Sequence, residues 1–326
     1  MISINDVNVG LAADEMVEEL GNVFAKHEIP IGLMNKLMML SEFEKLEFII
    51  DDSGSMMSTS DTKDKFGHRQ TRWDEARGRL KELVEILAYV PTNDISVIFF
   101  NRSNQVNLRR NDAENPSQFI SRACADIDRA FNAEQPRYRK PALRTIQKSL
   151  EQNRGKSVSR YFSCDGVPDG GDYEIKQIEN LIKNRANPQQ NPITFISCSE
   201  NDDDVEWMKE LELEEVAHYA AEYDDYASER QEVIGDQGVA FPFNRGFYLI
   251  RSLVAAMNPD DLDAMDESVP FTKYTLDNLL GYETQPEEYE RYFQEFEIAQ
   301  SRKTINSEMD RIKKNQNWGQ HFNEFM

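Results

Sequence analysis

The chain has 326 residues, of which 39% are apolar, with 18 Phe and 12 Tyr, so it can build a packed core of domain size. Its formal net charge of -22 argues against general nucleic-acid binding, which needs a basic face to neutralise phosphates. The same charge argues against adsorption to an anionic membrane. The charge is uneven: residues 200–236 hold fifteen Asp or Glu against Lys209 and Arg230, which reads as a solvated acidic face, a dock for a basic partner or a weak cation-binding segment.

Residues 1–45 read as a helical N-terminal extension. Met16, Leu20, Val23 and Phe24 fall at helical spacing, and a second apolar cluster from Ile31 to Met38 follows Pro30. From residue 46 to 257 strands and helices alternate. Leu46 to Ile50 is a short strand, and Arg72 to Tyr89 is a helix ended by Pro91. Ile95 to Phe100 is a strand rich in β-branched and aromatic residues. Ser117 is the expected cap of a helix to Arg129, and Pro141 stands in the first turn of another that runs to Leu150. Strands at Val158 to Cys164, Ile193 to Cys198 and Val216 to Ala221 alternate with helices at Tyr173 to Lys183, Val205 to Leu213 and Phe247 to Met257. This alternation predicts an α/β fold, a doubly wound and mostly parallel sheet flanked by helices. Residues 258–326 form a helical C-terminal extension. Its main element is a long helix from Glu287 to Lys314, striped by Tyr289, Tyr292, Phe293 and Phe296, then Ile305, Met309 and Ile312. The stripe packs on the domain or meets a partner.

No run of 18 apolar residues is present, so no membrane span is expected. No basic start followed by an apolar stretch marks a signal peptide. Cys124, Cys164 and Cys198 show neither a disulfide framework nor zinc spacing. A cytoplasmic, reducing location fits these features, with export in folded form left open.

Open α/β sheets bind ligands beyond the carboxyl ends of their strands. Two acidic loops fall there. The first follows Phe48-Ile49-Ile50 and reads Asp51-Asp52-Ser53-Gly54-Ser55. Asp51, Ser53 and Ser55 supply one carboxylate and two hydroxyls, hard ligands for Mg²⁺ or Mn²⁺, and Gly54 allows a tight turn between the serines. Asp52, the next residue along, is expected to point away toward solvent or a helix cap. The second loop, Asp165-Gly166 after Tyr161-Phe162-Ser163-Cys164, brings a further carboxylate to the same edge.

Together the loops resemble the metal-ion-dependent adhesion site of the von Willebrand factor type A and integrin inserted-domain family. The resemblance covers about residues 46–257. It implies a metal site of Asp51, Ser53, Ser55 and Asp165 holding Mg²⁺ or Mn²⁺, and a protein partner that offers an acidic residue to the ion. Residues 224–230 and Phe241-Pro242-Phe243 are similar to an intracellular branch of that family with no assigned function. One position departs from the pattern. The family places a threonine before a proline, and here Lys140 precedes Pro141. A protonated lysine cannot ligate a cation; it either sits between Asp51 and Asp165 in the ion's place or swings out. Thr145 is the alternative ligand, one helical turn further in.

Two other classes compete with metal-dependent binding. A scaffolding protein with a degenerate metal site would act through the acidic segment or the C-terminal helix. A Mg²⁺-dependent phosphatase of the haloacid dehalogenase kind also starts with an Asp after a strand, but it needs a second Asp two residues on, where this chain has Ser53. No Gly-x-Ser-x-Gly elbow or phosphate-cradling glycine loop is present, and His27, His68, His218 and His321 are scattered. The expected function is binding, not catalysis.

Overall fold

The computed structural model describes residues 13–323 apart from 64–66, 92–93, 112–113, 200, 213–217, 258–264 and 266–267; side chains 13–17, 61–63, 202, 212 and 308–323 are also outside the description. Six strands form one sheet: β1 (Lys45–Ile50), β4 (Ile95–Phe99), β5 (Val106–Asn107), β6 (Val158–Cys164), β7 (Ile193–Ser197) and β8 (Ala220–Tyr223). Their order is β5-β4-β1-β6-β7-β8. All neighbours run parallel except the short edge strand β5, which is antiparallel to β4. This is an α/β fold, a mostly parallel sheet with helices on both faces, as the alternating pattern predicts.

Strand β1 is buried along its whole length; Leu46, Phe48, Ile49 and Ile50 supply its apolar part, and Lys45 and Glu47 are buried with it as an ion pair at 2.6 Å. Its side chains alternate between two cores. Leu46, Phe48 and Ile50 join the layer built by α3 (Arg72–Leu87), α4 (Pro116–Ala133) and α9 (Arg245–Val254). Ile49 joins the opposite layer, built by α5 (Ala142–Gln152), α6 (Gly171–Lys183) and α7 (Asp202–Glu212). The first layer also takes Leu33 and Leu37 from the N-terminal segment, Leu276 and Leu279 from α10 (Lys273–Leu280), and Tyr292 from α11 (Pro286–Asn323). The terminal segments therefore share the core of the sheet's first face.

The C-terminal helix is fastened at its aromatic stripe. The Tyr292 hydroxyl donates to Gln237 Oε1 at 2.6 Å and accepts from the Phe271 amide at 2.9 Å. Gly238, at φ 86°, closes α8 (Tyr226–Gln237), and a Cβ there would lie 2.5 Å from the Glu295 backbone of α11. Phe293 and Ile305 remain exposed, so the stripe packs only in part. Met16, Met309 and Ile312 lie outside the described side chains.

Several local expectations need correction. The cap of α4 is Asn115, which forms a reciprocal capping box with Gln118, and Ser117 lies inside the helix; Asn satisfies the same orphan amides as Ser. Pro141 stands at the N-cap, one residue before α5. The last strand is Ala220–Tyr223, later in the chain than expected, while residues 216 and 217 lie outside the description. The acidic segment is not simply a solvated face. Asp224 pairs with Lys209, Glu229 with Arg251 and Asp236 with Lys303, and Asp225 caps α8. All four carboxylates are buried, because each finds a cation or a row of amides that offsets its desolvation.

Candidate functional site

Register brings the two acidic loops together. Ile50 pairs with Ser163 across β1 and β6, and the Asp51 amide continues the ladder to the Ser163 carbonyl at 2.9 Å. Both strands stop at this edge, so Asp51 and Asp165 leave the sheet side by side. Asp51, Ser53 and Asp165 are buried. The Ser53 amide donates to Asp51 Oδ1 at 2.7 Å, the Ser53 and Ser55 hydroxyls lie 3.1 Å apart, and Ser55 Oγ donates to Asp165 Oδ1 at 2.8 Å. The four residues singled out in the sequence thus occupy one cluster.

Two cations complete it. Lys140 Nζ lies 2.6 Å from Asp165 Oδ1, and Arg72 Nη1 lies 3.0 Å from Asp165 Oδ2. The second Arg72 nitrogen donates to Ser199 Oγ at 3.0 Å, drawing in the loop after β7. The Lys140 loop is clamped to the Asp165 loop from both directions: its amide donates to Asp169 Oδ2 at 2.9 Å, and its carbonyl accepts the Asp169 amide at 3.3 Å. It is also tied to the first loop, since the Gly54 amide donates to the Tyr138 carbonyl at 3.4 Å and the Arg137 amide to the Asp52 carbonyl at 3.0 Å. A side chain at residue 166 would meet Lys140 Nζ at 2.8 Å, so Gly166 leaves the ammonium its space. Thr145 is turned into its own helix, its hydroxyl donating to the Pro141 carbonyl at 2.9 Å.

Electrostatics follow from this packing. Burial, together with the Asp165 charge, pushes Asp51 up to about 6, against the pull of Lys140 and the Ser53 hydrogen bonds. Burial acts the same way on Asp165, but Lys140, Ser55 and Arg72 outweigh it and hold that carboxyl below its ordinary value. Burial would lower the Lys140 ammonium, yet Cys164, Asp165 and Asp51 raise it. The Cys164 thiol, which donates to Asp51 Oδ2 at 3.3 Å, is pushed well above its usual value by burial and by Asp51.

A divalent ion fits this arrangement poorly. Both oxygens of Asp165 already face a cation. Two carboxylates and two cations balance without a metal, and a dication would meet two like charges at once. Among the described residues, no group of three or more His, Cys, Asp or Glu is placed to hold a metal ion.

Asp52 turns away from the cluster, as expected, but it does not face solvent. It is 2% exposed, lies 3.1 Å from Arg102 Nε, and accepts two hydrogen bonds from Asn101 at 2.9 Å. Arg102 stacks over Trp73 and Phe99 and caps the C-terminal carbonyls of α4. The sequence reasoning did not single out Arg72, Cys164, Asp169 or Ser199 as parts of the site. Arg72 opens a helix and Ser199 follows the strand expected at Ile193 to Cys198, and neither stands in a pattern that points to the site.

No model of a protein family matches the chain, and no curated protein is similar to it. Among solved structures, the chain is similar to the PilB minor pilin from Streptococcus sanguinis at 13% identity and a TM-score of 0.39. A single-residue variant of the same pilin gives 12% and 0.40, and the SpRpn10 VWA domain gives 12% and 0.35. The matches cover 55–56% of this chain, and the chain spans 56% of the pilin's length and 87% of the SpRpn10 domain's.

Proposed function

We propose that this chain is a protein-binding module whose docking rim lies at the carboxyl edge of the sheet, with Lys140 standing in place of a metal ion. The observation that carries this reading is the setting of the charged cluster. Met57, Tyr138 and Val167 are exposed by 41%, 65% and 41%. They come from the three loops that hold Ser55, Lys140 and Asp165. Large apolar side chains around a polar centre mark interaction surfaces. Tyr138 holds φ at 75°, a left-handed conformation that costs energy for a non-glycine residue. A partner carboxylate would meet the exposed edges of Lys140 and Arg72, and its neighbours would cover the apolar ring.

Binding suits the cluster better than catalysis does. Cys164 is held as a thiol by its raised pKa, and among the described residues no histidine stands against Ser53 or Ser55 as a base. Three free cysteines suit a reducing compartment. No helix among the described residues is long and apolar enough to cross a membrane.

A second reading keeps the metal: the convergence of Asp51, Ser53, Ser55 and Asp165 favours an Mg²⁺ or Mn²⁺ site if Lys140 moves out. The two readings separate by calorimetry. The lysine reading expects no heat from either ion in the wild type; heat that vanishes in Asp51→Ala establishes the metal reading. The rim itself is tested by a photo-crosslinking amino acid at position 138, with the equally exposed Tyr173 as control. Crosslinks to another protein at 138 and not at 173 support the rim, and the reverse pattern contradicts it.

A further inference from the structure

Beside this rim the chain carries a basic strip that its overall charge makes conspicuous. Between Gln135 and Leu150 stand Arg137, Arg139, Lys140, Arg144 and Lys148, with no acidic residue, in a chain of net charge -22. Arg139, Arg144 and Lys148 are exposed, and no described acidic side chain forms an ion pair with any of them. Arg144, Lys148 and Gln152 are spaced four apart on α5, so they share one stripe of that helix.

The strip borders two clefts that flank the connection from β4 to β5. One, of about 290 Å³, is lined by Arg144, Lys148, Gln152, Thr145 and Phe100, with no acidic side chain in its wall. The other, of about 390 Å³, is lined by Arg102, Arg137, Tyr138 and Val106. Its two acids are already engaged, Asp52 with Arg102 and Glu134 with Arg137. Asn101, Arg102, Ser103 and Asn104 wall both clefts, so they form one discontinuous groove across the sheet edge.

We infer that this groove docks an acidic peptide segment of a partner protein, its carboxylates set against Arg144 and Lys148 in the wall and against Arg139 next to it, whose carbonyl accepts from Asn101 Nδ2 of that wall at 3.0 Å. The inference rests on the reading of the chain as a protein-binding module, and extends it from a single charged contact to a stretch of sequence. Charge complementarity selects the occupant: among the described residues these cations meet no carboxylate, and an acidic peptide supplies one with modest charge density. A nucleic acid would bring the same anions but also dense like charge toward the rest of a strongly acidic molecule.

The test uses the whole chain and a fluorescein-labelled peptide of alternating Glu and Ser, with alternating Gln and Ser as control, read by fluorescence anisotropy. The expected result is salt-sensitive binding of the Glu peptide alone, weakened about tenfold or more by combined Arg139→Glu, Arg144→Glu and Lys148→Glu. Those side chains are exposed, and circular dichroism checks that the variant keeps its fold. Absence of binding by the wild type overturns the inference. So does binding that Lys140→Ala weakens and the triple variant does not, a result that leaves the rim reading standing. Loss in the triple variant with none in Lys140→Ala upholds the groove and refutes the rim. Tighter binding of single-stranded DNA than of the Glu peptide overturns the inference in favour of nucleic acid. Self-association of the unlabelled chain that the triple variant abolishes overturns it in favour of a second copy.

Discussion

Replacing Lys140 by Thr tests the site's electrostatics most sharply. The ammonium lies 2.6 Å from a fully buried carboxylate oxygen of Asp165, with 13% of its own side chain exposed. Removing one partner of a buried pair leaves an uncompensated charge and typically costs 3–5 kcal/mol. Here Arg72 and Ser55 remain on Asp165, which reduces the expected loss to about 2–3 kcal/mol. At the same time Asp51 loses the cation that pulls its carboxyl down. The variant, however, gains a hydroxyl and vacates the space between the two carboxylates. Mg²⁺ at about a hundred times its dissociation constant would then return about 2.7 kcal/mol. Urea unfolding with and without Mg²⁺ reads both effects as midpoint shifts at constant slope. The expected pattern is a wild type indifferent to Mg²⁺ and a Lys140→Thr chain that is destabilised alone and rescued by the ion. An unchanged midpoint in the variant, or equal stabilisation of both proteins by Mg²⁺, refutes the reasoning.

Asp51→Asn should remove a loss of stability that the wild type suffers between about pH 4 and pH 6. A carboxyl raised from 3.8 to about 6 on folding contributes stability below pH 4 that is lost as pH rises through 6. The wild type should therefore lose on the order of 1–3 kcal/mol across that window relative to the variant, measured by urea midpoints at several pH values. Asp165→Asn should give the opposite slope, since a lowered carboxyl pKa stabilises above pH 4 and loses that stability as pH falls. Asp52→Ala leaves the Arg102 guanidinium, with 11% side-chain exposure, without its carboxylate and should cost about 2–4 kcal/mol in thermal or urea unfolding. Gly281→Ala should destabilise by about 2–4 kcal/mol by the same assay, because residue 281 holds φ at 78° and its Cβ would meet the Gly32 amide nitrogen at 2.4 Å.

Which parts were legible in the sequence follows from the range of the forces. Strand β1 and its Asp-x-Ser-x-Ser end are local: Leu46 and Phe48-Ile49-Ile50 announce a buried strand, and the turn carries its polar residues at fixed offsets, whereas the burial of Lys45 and Glu47 in the same strand depends on their pairing with each other. The Asp165 loop could be joined to it because parallel strands of one sheet end at one edge. Lys140 was legible because Pro141 marks a helix start beside it. Arg72 was not, because its partner lies 93 residues away and nothing around it distinguishes a site cation from a solvated one. The burial of Asp224, Glu229 and Asp236 was hidden for the same reason, since Arg251 and Lys303 stand on distant helices. The hairpin of β2 (Thr59–Lys63) and β3 (Arg69–Thr71) is polar, so no alternation of apolar residues announced it. Edge strand β5 holds only two residues, too few for any period to show.

A crystal structure determined after soaking in Mn²⁺, with anomalous density examined between Asp51 and Asp165, tests the central claim most directly. The account predicts no manganese peak there, with the Lys140 ammonium within hydrogen-bonding distance of Asp165. A peak bound by Ser53 and Ser55, with the lysine turned out to solvent, would contradict it.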